Sequence, residues 1–198
     1  MGSPRIVSLE ADDRTLRAAI IVIGHIMWLS TAALRVVRGD RLHRVTERSS
    51  WPIELYPVLV WLPLLLATFL FVGQAEIDDG VQLGGVALAL AGSVFAAWAM
   101  WSLSRSYGVR TDVFEGHQLK ANGPFALVRH PQSLGIVAYH VGASLALESV
   151  LLIFVTALVI VPYTALRIGA EERVLRSAFG SAWDDYAARV PRILPLPR

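Results

Sequence analysis

Long apolar runs alternate with short polar segments along most of the chain. A helix needs about 20 apolar residues to cross a membrane, and three runs reach that length: 16–37, 55–72 and 81–101. A fourth apolar region, 134–166, is longer than one crossing needs, and Glu148-Ser149 interrupts it near its middle. We interpret it as a tight helical hairpin. The pattern therefore predicts five transmembrane helices.

Composition supports lipid as the solvent of this chain. Of its 198 residues, 55% are hydrophobic and 17% are charged, whereas soluble domains are about 25% charged. Cysteine is absent, which excludes disulfides, thiolate nucleophiles and cysteine metal sites. The net charge is only +2, and the arginines cluster beside apolar runs, so nucleic acid is not an expected partner. We expect an all-α integral membrane protein.

Loop charges indicate how the helices are oriented. The segment 35–48 carries five arginines, whereas the connection 74–80 carries three acidic residues and no base. The positive-inside bias places 35–48 in the cytoplasm. Five crossings then put the N-terminus outside and place both 104–130 and the C-terminal tail in the cytoplasm. No signal-peptide cleavage site follows the first run, so we expect a multi-pass protein of the plasma or inner membrane that retains its first helix.

Residue types within the predicted helices indicate how they pack. Small residues are frequent over 87–99, and they let helix backbones approach closely in a membrane. Pro57 and Pro63 should kink the second helix or leave carbonyls that neighbouring groups must satisfy. His25 lies within the first helix and is interpreted as a packed or hydrogen-bonded residue, with a functional role as the alternative.

The first of two polar blocks at the predicted cytoplasmic edge is 115–135. Ionisable residues at such positions are functional candidates. Pro131 holds Arg129 and His130 extended and suits the first position of a helix. The N–H groups and positive dipole of that helix end would suit a carboxylate or another anion. Gly135, one turn later, would allow close approach of a ligand or a neighbouring helix.

The second polar block, 167–175, continues the fifth helix. Arg167 and Glu171 are four residues apart and share a face, whereas Glu172 is expected to point elsewhere. Each block also has a purely structural interpretation. The Arg-His pair of the first block could only mark a membrane boundary, and the Arg-Glu pair of the second could be an exposed pair worth about 0.2–0.5 kcal/mol.

The order of these elements is more specific than any one of them. Gly123-Pro-Phe-x-x-x-Arg-His-Pro-x-x-x-Gly135 is followed, after the apolar hairpin, by Glu171-Glu172 and then by Phe179-Gly-x-x-Trp-x-x-Tyr-x-x-Arg-Val-Pro191. Over about residues 105–195 this pattern resembles the C-terminal signature of the isoprenylcysteine carboxyl methyltransferase and phospholipid methyltransferase family, which are integral membrane enzymes. The N-terminal half is similar only in being hydrophobic.

The resemblance implies a pocket for S-adenosylmethionine, formed by the C-terminal half at the cytoplasmic edge. The residues that would line it are His117, Gln118, Leu119, Lys120, Phe125, Arg129, His130, Pro131, Ser133 and Glu171. Phe125 and Ser133 stand where the family commonly has tyrosine. Phe125 keeps the ring and loses a hydroxyl, whereas Ser133 loses the ring, so the resemblance supports a side-chain contact from Ser133 least.

The resemblance also implies an activity and a division of one membrane domain, 1–198. Residues 16–103 would form a three-helix part that admits the acceptor, and 104–198 a catalytic part containing the helical hairpin 131–176. The reaction would be methyl transfer to a lipophilic or small membrane-partitioning carboxylate, amine or thiol, and it needs no metal. As catalytic residues, Arg167 would orient an anionic acceptor, and His117 or His130 is the candidate base for an amine, thiol or phenol, with His130 preferred. Membrane lipids are the other expected partners.

Two further functional classes remain open at this point. A lipid or sterol reductase that uses NAD(P)H is similar in its C-terminal helices, and direct comparison of S-adenosylmethionine and NADPH binding separates it from a methyltransferase. A non-catalytic membrane protein, such as a small transporter, is the second alternative. Proton-coupled transport favours ionisable residues near the middle of the membrane, and the predicted spans contain almost none besides His25.

Overall fold

The computed structural model of the chain describes residues 17–27, 30, 33, 45–47, 55–70, 72–103, 113–114 and 118–194. Its helices are α1 (Arg17–Met27), α2 (Tyr56–Leu70), α3 (Asp79–Leu103), α4 (Pro124–Leu127), α5 (Pro131–Ala146), α6 (Val150–Phe179) and α7 (Ser181–Arg189). Two short strands, β1 (Val45–Glu47) and β2 (Val113–Phe114), pair antiparallel. The fold is therefore helical, and the strand pair is an addition that the expected all-α class did not include.

The β1–β2 pairing links two segments that are far apart in sequence. Val45 lies opposite Phe114, and Glu47 lies opposite Val113. Since α2 and α3 lie between these strands in sequence, the chain leaves through one helix and returns through the other to the same end of the bundle. The pairing is consistent with the prediction that the arginine-rich loop and the first polar block share one side of the membrane.

Two helices have the length and hydrophobicity of membrane spans. They are α3, with 25 residues, and α6, with 30 residues. Shorter apolar helices are found over Arg17–Met27 and Val58–Leu70. Large apolar side chains such as Phe69, Leu83 and Leu158 are exposed on α2, α3 and α6, which suits contact with lipid tails rather than water. Helices occupy each predicted apolar run, while the number of crossings remains a prediction.

Helices α3 and α5 pack with their backbones in contact. A Cβ atom added at Gly92 would lie 2.6 Å from the carbonyl oxygen of Gly135, and one at Gly85 would lie 2.8 Å from that of Gly142. Only glycine fits at such distances. The prediction of close packing by the small residues of α3 is confirmed. The close approach at Gly135 is made by a neighbouring helix, not by a ligand.

A sharp turn separates α5 from α6, as the hairpin interpretation predicted. Glu148 adopts a left-handed backbone with φ of 51°, and the hydroxyl of Ser149 caps α6 by accepting from the amide of Leu152 at 3.3 Å. The buried Glu148 carboxylate accepts from Nε2 of Gln82 on α3 at 2.9 Å. Helices α5 and α6 therefore run antiparallel, and the end of α6 returns toward the start of α5.

Helix α2 continues through Pro63, which has no amide to donate to the carbonyl of Leu59 four residues earlier. At the next residue, the carbonyl of Val60 lies 3.0 Å from Nε2 of His140, and Nδ1 of the same ring lies 2.8 Å from the carbonyl of Ile136. The His140 side chain thus links α2 to α5 beside Pro63, and satisfaction of the carbonyl that the proline frees stays a prediction. Pro57 lies in the first turn of α2, where proline is tolerated.

His25 is buried among aromatic rings of the helix bundle. Its ring lies 4.3 Å from that of Trp61 in a T-shaped contact and 6.1 Å from that of Tyr139. The Tyr139 hydroxyl donates to the carbonyl of Ile21 on α1 at 2.6 Å. The interpretation of His25 as a packed residue is confirmed, and the contact fastens α1 to α2 and α5.

Candidate active site

The polar end of α6 meets His130, the residue directly before α5. This residue caps α5 at its N-terminus, and its side chain is 3% exposed. Nε2 of His130 lies 3.1 Å from Oε1 of Glu172, and Nδ1 lies 3.6 Å from Oε2 of Glu171. Since an ionised carboxylate only accepts hydrogen bonds, Nε2 carries the proton. The antiparallel hairpin thus places one imidazole between two carboxylates.

The expectation that Glu172 points away from this site is wrong. Adjacent residues on a helix point about 100° apart, but His130 sits between the two directions and each ring nitrogen faces one carboxylate. Glu172 also receives two arginines. Nη2 of Arg129 lies 3.4 Å from its Oε1, and Nη2 of Arg192 lies 3.1 Å from its Oε2. Glu172 therefore has the imidazole and two guanidinium groups within 3.4 Å.

The cluster shifts the ionisation of both the imidazole and the carboxylate. Burial alone would lower the pKa of His130, but hydrogen bonds and negative charge from Glu171 and Glu172 outweigh burial and raise it. Burial alone would raise the pKa of Glu172, but the hydrogen bond to His130 and the charges of His130, Arg129 and Arg192 lower it. The site therefore favours a protonated imidazole beside ionised glutamate.

The tail after α7 runs back across the start of α5. The amide of Arg129 donates to the carbonyl of Pro191 at 2.8 Å, and the amide of His130 donates to the carbonyl of Arg192 at 3.2 Å. These two backbone hydrogen bonds satisfy the extended pair that precedes α5. They also fix the backbone position of Arg192, from which its side chain reaches Glu172.

An aromatic cluster anchors this tail. Trp183, Tyr186 and Val190 are buried together, and the Tyr186 hydroxyl donates to the carbonyl of Phe125 at 2.7 Å. Burial raises the pKa of Tyr186 to about 12, against the lowering charge of Arg129, so the phenol stays a donor. The guanidinium of Arg129 lies 6.0 Å from the centre of a Trp183 ring, at the limit of a cation–π contact.

The structure brings some of the predicted site residues together and leaves others apart. His130 contacts Glu171, Arg129 reaches the same cluster through Glu172, and Pro131 is buried at the start of α5. The remaining predicted positions fall in a wider shell: Phe125, buried on α4; Ser133, buried in the first turn of α5; Leu119, packed on the Trp183 cluster; Lys120, half-buried; and Gln118, exposed. His117 lies outside the described residues.

Arg167 lies on α6 one helical turn before Glu171, about 6 Å along the axis. Its side chain is half-buried. The shared face of Arg167 and Glu171 is thus present, with Arg167 on the side nearer the apolar part of α6.

Besides Glu172, sequence reasoning missed three residues of the site, Trp183, Tyr186 and Arg192. Tyr186 hydrogen-bonds to Phe125, Trp183 lies beside Arg129 and Arg192 pairs with Glu172, and two of the three belong to the aromatic and arginine signature that ends at Pro191. The signal was the three-residue spacing of the aromatic positions, which predicts one buried face on a short helix. Arg192 carried no such signal, because its contact with Glu172 depends on the path of the tail.

Comparisons with known proteins assign this chain to a class. The family model of phospholipid methyltransferases matches residues 81–182. A probable protein-S-isoprenylcysteine O-methyltransferase of Oryza sativa subsp. indica is 30% identical over 182 residues, which cover 85% of this chain and 95% of the relative. The protein-S-isoprenylcysteine O-methyltransferase B of Arabidopsis thaliana is 28% identical over 114 residues, 57% of this chain and 58% of that relative.

A solved structure shares the fold. It is the eukaryotic intramembrane Ras methyltransferase, isoprenylcysteine carboxyl methyltransferase, with a TM-score of 0.55 and 23% sequence identity over 77% of this chain. The match covers 54% of that longer chain. The fold is that of an intramembrane methyltransferase. The chain belongs to the isoprenylcysteine carboxyl methyltransferase and phospholipid methyltransferase family, and the resemblance drawn from its sequence is confirmed.

Proposed function

We propose that the chain transfers a methyl group from S-adenosylmethionine to the carboxylate of a prenylcysteine-like acceptor at the cytoplasmic membrane edge. The observation that carries this proposal is the contact of His130, at the N-terminal end of α5, with Glu171 and Glu172 of α6. The site joins a helix N-terminus with carboxylates beside an apolar bundle. The names of the curated relatives supply the acceptor class, which the residues then have to fit.

The cofactor end of the site has groups of both charges. Glu171 is the more accessible carboxylate, 32% exposed against 20% for Glu172, and it suits the ammonium group of the methionine part of the cofactor. The first-turn amides of α5 suit its carboxylate. Within the described residues, Nε of Arg129 is buried without a hydrogen-bond partner, and a bound acceptor atom would satisfy it. When bound, S-adenosylmethionine would supply an electrophilic methyl group. The electron pair of the broken carbon–sulfur bond would stay on sulfur, and the acceptor oxygen would form the new bond to carbon.

The ionisation of His130 favours a carboxylate acceptor over an amine or thiol. A protonated amine or a thiol must lose a proton before it can accept a methyl group, so it needs a general base. The raised pKa of His130 favours the protonated ring, which is a poor base. A carboxylate needs no base, and the half-buried guanidinium of Arg167 would orient it in the bidentate geometry that arginine offers.

The same proposal includes the membrane arrangement. We place five crossings in the chain, with the N-terminus outside, the C-terminus in the cytoplasm and the pocket on the cytoplasmic side. The exposed apolar faces of α2, α3 and α6 support a lipid environment. A lipophilic acceptor would reach the pocket laterally between helices of the N-terminal part, while the cofactor enters from water.

Cofactor binding tests this proposal against the reductase alternative. Purified protein in detergent should bind S-adenosylmethionine and S-adenosylhomocysteine in calorimetry and give no heat with NADPH at the same concentration. Titration of His130→Ala, which removes the central group of the site, should show weakened binding of both methyl-cycle ligands. Binding of NADPH alone would contradict the methyltransferase proposal and favour a reductase.

A further inference from the structure

Both adjacent carboxylates of the site contact His130. Glu172 is contacted by Nε2 of His130 at 3.1 Å, by Arg192 at 3.1 Å and by Arg129 at 3.4 Å. Glu171 lies 3.6 Å from Nδ1 of His130 and is the more exposed of the two, at 32% against 20%. Glu172 therefore has two arginines as well as the imidazole around it, and Arg192 is the one that the tail contributes.

The backbone of the tail is fixed where Arg192 contacts Glu172. The backbone of Pro191 and Arg192 accepts hydrogen bonds from Arg129 and His130, and the buried Trp183 cluster holds the helix that precedes it. The Arg192 side chain is nevertheless 47% exposed, so its charge is screened and contributes little as a field alone. We therefore expect Arg192 to act mainly by holding the Glu172 carboxylate in position.

We propose that Arg192 is a positioning residue, which keeps the Glu172 carboxylate on Nε2 of His130 so that Nδ1 faces Glu171. The inference rests on the proposed function only in assigning Glu171 to the cofactor. An imidazole ring of His130 that is free to turn would present either nitrogen to Glu171 and would compete with the ligand for the oxygens of Glu171. A ring fixed by Glu172 leaves Glu171 in one orientation for the ligand.

The direction in which the pKa of His130 changes when Arg192 is removed distinguishes a positioning role from a simple charge effect. Glu171 and Glu172 of α6 face His130 directly, and Arg129 from its own segment and Arg192 from the tail contact Glu172 beside it. If Arg192 acted only as a nearby positive charge, removing it would raise the pKa of His130. If it holds Glu172 in place, removing it weakens the Glu172 hydrogen bond, so one of the two carboxylate interactions that raise that pKa against burial is reduced and the pKa falls, while the interaction with Glu171 remains.

The test is a histidine titration of the full chain in detergent, followed by nitrogen-15 NMR of labelled imidazoles. In Arg192→Met the pKa of His130 should fall, and the ring should show both tautomers on deprotonation. Arg192→Lys should restore most of the wild-type value, since an ammonium can still reach the carboxylate. The matched control is Arg189→Met, three residues earlier, whose side chain donates to the carbonyl of Asp185 and should leave His130 unchanged.

Cofactor affinity gives the second measurement. S-Adenosylmethionine should bind Arg192→Met about fivefold more weakly, the size expected for a partly exposed ion pair, and Arg189→Met within about twofold of wild type. If the wild-type chain does not bind this ligand, the proposed function fails, while the titration still decides the role of Arg192. A raised or unchanged His130 pKa in Arg192→Met would overturn the positioning role.

Combining Arg192→Met with Glu172→Gln distinguishes the proposed role from a folding defect in the single variant. In Glu172→Gln there is no carboxylate for Arg192 to hold, so adding Arg192→Met should change neither the His130 pKa nor the cofactor affinity further. Additive effects of the two substitutions would contradict the proposal, because they would mean that Arg192 acts independently of Glu172.

Discussion

Two adjacent residues of α6, Glu171 and Glu172, face His130, and only Glu171 was predicted to belong to the site. Helical spacing placed Glu171 with Arg167 on one face, which the structure supports. The same spacing excluded Glu172, which contacts His130 and both site arginines. Spacing within one helix cannot reveal a side chain from another helix that lies between two directions. That error is therefore a consequence of tertiary packing, not of the periodicity.

Glu171 and Arg167 should separate into cofactor and acceptor roles when mutated. Glu171→Gln removes a charge-assisted hydrogen bond, which costs roughly 1.5–3 kcal/mol, so S-adenosylmethionine should bind about ten- to a hundredfold more weakly. Arg167→Met keeps the apolar stem, so cofactor affinity should remain within about threefold while turnover collapses for lack of acceptor orientation. Calorimetry and turnover assays measure the two effects. The exposed Glu76→Gln is the control, and equal loss of cofactor binding in both site variants would contradict the division.

The ionised cluster should make stability depend on pH. His130 has its pKa raised above 6.5, so its contribution is complete below pH 6.5 and is lost as pH rises through the folded value. Glu172 has its pKa lowered below 4.5, so its contribution is complete above pH 4.5 and is lost as pH falls through the folded value. The joint contribution is therefore largest between about pH 4.5 and about 6.5.

Thermal unfolding of the purified chain across that range checks this expectation. The wild type should gain most over Glu172→Gln between about pH 4.5 and about 6.5, and the difference should shrink on either side. Glu171→Gln keeps the hydrogen bond to Nε2 of His130, so in this pH range its stability should lie closer to wild type than that of Glu172→Gln. Unfolding curves of wild type and Glu172→Gln that run parallel across the whole range would show that the cluster does not stabilise the fold.

Among the helices, sequence predicted the elements that have a local signal. The break at Glu148 was visible as a polar interruption of an apolar run, and the α3–α5 contact was visible as small residues on one helix. The π-helical turn Thr156–Ile160 in α6 was not predicted, although Pro162 lies two residues after it and lacks the amide that a regular helix needs there. It brings the hydroxyl of Thr156 to 3.3 Å from that of Ser144 on α5, a contact fixed by packing.

The backbone contact of α3 with α5 should not tolerate added atoms. A Cβ at Gly92 would lie 2.6 Å from backbone atoms of both Gly135 and Tyr139, so Gly92→Ala should force the helices apart and cost about 1–3 kcal/mol. Gly84→Ala, on the same helix with open space around the new atom, should be neutral or stabilising by up to about 1 kcal/mol. Thermal unfolding in detergent compares the two. Similar stability of the two variants would contradict the close packing.

For the molecule as a whole, the C-terminal half carries most of what sequence could reveal. The signature over about residues 105–195 predicted the family, and the comparisons confirm it. The acceptor was not predictable, because the runs 16–37 and 55–72 are hydrophobic without a motif, and hydrophobicity alone does not specify which lipid-linked group enters. His25 and Trp61 are packed by contacts among three helices, which the order of residues in one helix does not encode.

Topology is testable because the chain contains no cysteine. Single cysteines at positions 42 and 118 should react with a membrane-impermeant maleimide only from the cytoplasmic side, and one at position 77 only from the outside. The pairing of β1 with β2 supports a common side for the first two. Labelling of positions 42 and 118 from opposite sides would contradict the five-crossing arrangement.

The most direct measurement is transfer of a radiolabelled methyl group from S-adenosylmethionine to a farnesylated cysteine with a free carboxylate, using purified chain in lipid nanodiscs. Wild type should form a methyl ester that releases labelled methanol in base, and Glu171→Gln should form far less at the same cofactor concentration. Phosphatidylethanolamine and a small thiol, offered in parallel, should remain unlabelled. Label in a base-stable amine or thioether, or no label in any acceptor, would contradict carboxyl methyl transfer at the His130–Glu171 site.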